Sequence, residues 1–142
     1  MGWLTSRQQE LQNCQNQLTA AEADAERIRR ELADLEGFRD CLRRTRDTIE
    51  THRTTVRGFV NTEFFNWRGR THSRRYLNIA QSRLIDRDYK AVLNGIQTTL
   101  DNINTRRAVL NNNLLDSNNA IHRLRMRINI LAAEIQNHLN WN

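Results

Sequence analysis

Proline is absent from this chain of 142 residues, and glycine occurs only five times. Proline is the strongest helix breaker, so its absence favours helix from end to end. Aromatic residues make up 6% of the chain and its mean hydropathy is −0.78. So polar a chain can bury a seam but not a thick core. No stretch approaches the ~18 consecutive apolar residues of a membrane-spanning helix. The opening MGWLTSRQQE lacks the positive segment and apolar run of a signal peptide. These absences predict a cytoplasmic protein, or one that leaves the cell only alongside a partner. Only two cysteines occur, Cys14 and Cys41. On one helix they would stand ~40 Å apart at 1.5 Å per residue, too far to bridge. The four histidines are dispersed. No cysteine or histidine spacing suits zinc, no glycine-rich loop suits phosphate, and no nucleophile stands beside a base. The expectation is a protein that is not an enzyme, with no catalytic residues, metal site, cofactor or small-molecule substrate.

What the sequence does hold is heptads. Leu4, Leu11, Leu18, Ala25 and Leu32 form one series, and Cys14, Ala21, Ile28, Leu35, Leu42, Ile49 and Val56 the other. They alternate at spacings of three and four, as in a coiled-coil seam. At residue 39 the first series turns to arginine, at Arg39, Arg46 and Arg53. Phe38, Thr45, His52 and Phe59 lie one residue earlier, which predicts a three-residue stutter beside Gly37. The second half repeats the pattern, with Ile96, Ile103, Leu110, Ser117, Leu124 and Leu131 against Leu93, Leu100, Arg107, Leu114, Ile121, Ile128 and Ile135, so Ser117 and Arg107 are polar members of the seam. The reading is a single all-α domain, a long antiparallel two-helix hairpin. Helix 1 would cover about 3–65, a turn 66–72, and helix 2 about 73–140. Facing residues would then have numbers that add to about 143. Trp3 would meet Trp141, and Arg107 would face Glu36 and Asp40. Ile85, Val109, Leu115, Ile130, Ala132 and Ala133 fall off the seam, so a helical partner is expected on helix 2, with Val109, Leu115 and Ile130 as its contacts.

The expected turn contains Phe64-Phe65-Asn66-Trp67-Arg68-Gly69-Arg70. Gly69 can take the positive φ that ends a helix, and Trp67 can fill the space where two helices diverge. A helical hairpin with Trp-x-Gly in its turn resembles the WXG superfamily of type VII secretion. The long coiled-coil arms are most similar to its YwqH-like branch, partners of LXG polymorphic toxins in Gram-positive bacteria. The Tyr-x-x-x-Asp/Glu signal of many members is absent: Tyr76 is followed four residues later by Ala80, and Tyr89 by Leu93. The resemblance implies a targeting chaperone that binds the helical N-terminal domain of an LXG toxin, or pairs with a second WXG-like hairpin. The tip would be formed by Phe64, Phe65, Trp67 and Gly69.

Charge suggests another function. Between residues 51 and 85 lie Arg53, Arg57, Arg68, Arg70, Arg74, Arg75 and Arg83 against Glu63 alone, which accounts for the whole net charge of +6. A basic tip of this kind, with Arg68, Arg70, Arg74 and Arg75 at its centre, could bind nucleic acid or an anionic membrane surface. No recognised nucleic-acid motif accompanies it.

Overall fold

The computed structural model describes residues 2–63 and 78–141, and side chains are described outside 60–63 as well. The protein is all-α, with two long helices packed antiparallel. Helix α1 runs from Trp3 to Glu63. A π-helical segment, Ala80–Tyr89, leads directly into helix α2, Lys90–Trp141. The boundaries expected at 65 and 73 lie outside the described residues. So does the turn at 66–72, with Trp67 and Gly69, and so do Phe64, Phe65, Arg68, Arg70, Arg74 and Arg75. No described helix is long and apolar enough to cross a membrane.

The chain forms two compact units. The first combines Met1–Asp34 with Arg106–Asn142, and the second is Leu35–Thr105. In the first unit, the a and d positions of α1 face the matching positions of α2. Cys14, Ala25 and Ile28 are buried against a seam that includes Leu110, Ile121 and Leu131. Each fully buried large aliphatic side chain stabilises the pair by roughly 1.5–3 kcal/mol. Four ion pairs cross between the helices: Arg7–Glu134, Arg106–Glu31, Arg125–Glu22 and Arg127–Glu10. The numbers of these partners add to 141, 137, 147 and 137, close to the expected register. Trp3 stacks on His138, with ring centroids 4.7 Å apart, and not on Trp141, which is 89% exposed. The last turn of α2 carries Trp141 past that register. At this level of α2 the arginine that pairs across to α1 is Arg106, with Glu31, rather than Arg107. The carboxylates expected to serve Arg107 are engaged by Arg39 of their own helix.

In the second unit the expected stutter is absent. Helix α1 continues through Gly37 without interruption, and its heptad phase holds. Phe38, Thr45, His52 and Phe59 are exposed, whereas Arg39, Arg46 and Arg53 are half-buried at the a positions. An arginine can occupy such a place because its aliphatic stem covers apolar surface while the guanidinium reaches the edge. Arg39 does so beside Glu36 and Asp40, with only 15% of its side chain exposed. Arg53 Nε donates to the carbonyl of Ile85 at 3.1 Å.

The partner strand of that seam is re-phased by the π segment. Strict heptads projected upstream from Leu93 and Ile96 would bury Asp86 and Ser82. In an i→i+5 helix each turn takes more residues than in an α-helix, so Ile85 enters the seam in place of Asp86. Ile85 is fully buried, which corrects its off-seam assignment, while Ile79 is exposed.

Candidate functional site

Two surfaces present apolar side chains away from the seam. In the first unit these include Met126 and the three flank residues Val109, Leu115 and Ile130, all exposed. Ala132 and Ala133 are exposed as well. Val109 and Ile130 are three heptads apart and share one position. Leu115 is offset from both by one heptad position, roughly 100° in a coil of 3.5 residues per turn. The three therefore spread over the outward face of α2 instead of forming one stripe.

The second surface was not singled out by sequence, and it is more sharply defined. Ile49 of α1 and Leu84, Asp88, Tyr89 and Val92 line an open groove of about 330 Å³ in the second unit. The π segment supplies three of these residues. Its altered pitch, which turns Ile85 inward, leaves Leu84 exposed on the groove side.

On α1 the groove opens onto an uncharged face. Residues 35–59 contain ten charged side chains, at 36, 39, 40, 43, 44, 46, 47, 50, 53 and 57. Nine of them occupy heptad positions a, b and e, and Arg44 sits at f. Positions c, d and g carry none. At g stand Phe38, Thr45, His52 and Phe59, and at c stand Cys41, Thr48 and Thr55, all exposed. The d residues Leu42, Ile49 and Val56 lie beside them, half-buried in the seam.

The threonines on this face are less polar than their type suggests. Thr45 Oγ1 donates to the Cys41 carbonyl, Thr48 to Arg44 and Thr55 to Thr51, each at 3.0 Å. A hydroxyl tied to its own helix satisfies itself internally and leaves the methyl group for apolar contact.

The contrast with the first unit is specific. There the g positions of α1 are Glu10, Gln17, Asp24 and Glu31, and Glu10 and Glu31 reach across to α2. Arg127 Nη2 donates to Glu10 Oε1 at 2.6 Å and its Nε at 2.9 Å, while Arg7 Nη1 donates to Oε2 at 3.0 Å. The Arg127 hydrogen bonds hold the Glu10 carboxyl below its ordinary value of 4.5, with Arg7 adding to the effect. In the second unit the ion pairs among described residues are all local: Arg39 with Glu36 and Asp40, Arg46 with Asp47, and Arg87 with Asp88. Among the described residues, Asp88 is the one charged side chain lining the groove.

Cys14 is buried and Cys41 exposed, and both are free thiols. Among the described residues no cluster of histidine, cysteine or carboxylate side chains could hold a metal ion. No family model, no curated protein and no solved structure matches the chain.

Proposed function

We propose that the chain is a binding protein for another helical protein, and that it works by completing a bundle of three or more helices. The observation that carries this reading is the mismatch between seam and apolar surface. Two packed helices bury one stripe, yet Phe38, Leu84, Val92, Val109, Leu115, Met126 and Ile130 remain exposed on a scaffold whose other outward residues are mostly polar. Single exposed apolar residues are ordinary, but a recurring set on an antiparallel helix pair fits a surface that a partner covers. The partner named by the Trp67-x-Gly69 resemblance is the helical N-terminal domain of an LXG toxin, which this chain would keep soluble and help deliver to type VII secretion.

The test is co-expression with such a domain. The two should co-purify as a stable complex. Replacing Val109, Leu115 and Ile130 by Asp should leave the isolated chain helical and weaken that complex. Each covered aliphatic side chain contributes roughly 1.5–3 kcal/mol, so the triple variant should lose at least a thousandfold in affinity. Undiminished binding by this variant removes the outward face of α2 from the interface. Failure of the wild-type chain to bind any LXG domain sinks the partner assignment.

A further inference from the structure

We infer that the uncharged face of the second unit is a docking groove for one additional helix. That helix carries an apolar heptad stripe and no acidic residue opposite Asp88. The inference adds a location to the reading above, and it depends on that reading only for the partner's name.

The first support is the way the pattern changes along α1. Through residue 32 its apolar residues occupy a and d, the pair of positions that a single facing helix covers. From residue 35 onward position a becomes Arg39, Arg46 and Arg53. Position g changes from Glu10, Asp24 and Glu31 to Phe38, Thr45, His52 and Phe59. The uncharged stripe has moved from a/d to d/g. The structure does not rotate α1 to follow it, because the phase holds and the g residues stay exposed, Phe38 by 51%. Half of the displaced stripe therefore lies outside the existing seam and directly continues it.

The second support is the opposite wall. Leu84 and Val92 are exposed on the π segment and the start of α2, and they border the same groove as Ile49. A helix laid along this groove would touch Phe38, Thr45 and His52 on one side and Leu84 and Val92 on the other. Its knobs would rest on Ile49 and Tyr89. Among the described residues no ion pair of this unit spans the two helices, since those it has run between neighbours on one helix.

The third support is chemical. The hydroxyls of Thr45, Thr48 and Thr55 are already bonded to backbone carbonyls of α1. Covering these residues strands no donor, so their desolvation is far less costly than for free hydroxyls. Asp88 sets the charge rule. Arg87 partly neutralises it at 3.1 Å, and a carboxylate brought onto it from a partner would be repelled.

The test uses the full chain and the double variant Thr45→Glu/His52→Glu. Both sites are exposed, and Glu is at least as good a helix former as Thr or His, so helicity should be unchanged by circular dichroism. Two probes are titrated. One is the LXG N-terminal domain. The other is a synthetic 28-residue helix with Leu at a and d, Gln, Ser and Lys elsewhere, and no acidic residue. Both should bind the wild type and lose at least a hundredfold on the double variant. Replacing four Gln of the peptide by Glu beside its Leu stripe should weaken it in the same way. The inference is overturned if the peptide does not bind the wild type, or if the double variant binds both probes normally. Peptide binding without LXG binding keeps the groove and removes only the named partner. LXG binding that survives the double variant and fails with the Val109, Leu115 and Ile130 replacements keeps the partner and removes the groove.

Discussion

Glu10 shows how much one side chain organises near the start of α1. It accepts from two arginines, Arg7 of its own helix and Arg127 of α2. Arg7 in turn reaches Glu134 at 3.6 Å and lies 5.6 Å from the ring of Trp3, which stacks on His138. The carboxyl of Glu10 is held below its ordinary value. A group with a depressed folded value stabilises the fold above its unfolded pKa, and that contribution disappears as the pH falls through the folded value. Glu10→Gln should therefore lower the urea midpoint at pH 7. The gap from wild type should close progressively on acidification below about pH 4.5. The group is solvent-accessible, so added salt should narrow the gap as well. A gap that persists at low pH would assign the effect to packing instead of charge.

Helices divide into what sequence could and could not reveal. The a/d series made both helices and their antiparallel register legible, because burying one stripe per helix admits few other pairings of two such arms. The exposure of Val109, Leu115 and Ile130 followed from the same periodicity. The arginine series at 39, 46 and 53 misled, since a charged residue in a seam invites a shift of phase. The structure instead keeps the phase and lets the arginine stems cover the seam. The π segment was not legible at all. Ile85 and Asp86 are adjacent, and only a change of helical pitch decides which one turns inward. Gly37, the position where the stutter was expected, now reads as an unstrained helix-interior glycine. A Cβ there would meet nothing within 4 Å. Gly37→Ala should stabilise the protein by about 0.5–1 kcal/mol. Thermal melting should show this as a rise of a few degrees, and a fall would mean that residue 37 needs glycine after all.

The two units of the molecule are held differently, and this has a measurable outcome. The first has a leucine-rich seam flanked by four cross-helix ion pairs. The second mixes arginine into its seam and leaves one flank open. Local stability follows buried apolar contact and protected backbone hydrogen bonds. Amide hydrogen exchange should therefore be faster over residues 35–59 and 78–100 than over 8–30 and 110–135. A docked helix should slow the second unit most, if the groove is where it lies. Equal exchange across all four segments would contradict this account of the two seams.

The threonine hydroxyls bonded to their own helix have one more consequence. They make part of the adhesiveness of that face conditional on its being folded. While α1 is intact, Thr45, Thr48 and Thr55 spend their hydroxyls on the carbonyls of Cys41, Arg44 and Thr51, which leaves the methyl group as the part of each side chain free for apolar contact. Once the helix frays, the same hydroxyls turn to water and these three positions become ordinary polar sites. A face built from leucine would stay sticky in both states and would clump during synthesis or any later unwinding. At its threonines this one is greasy only in the conformation that has something to receive.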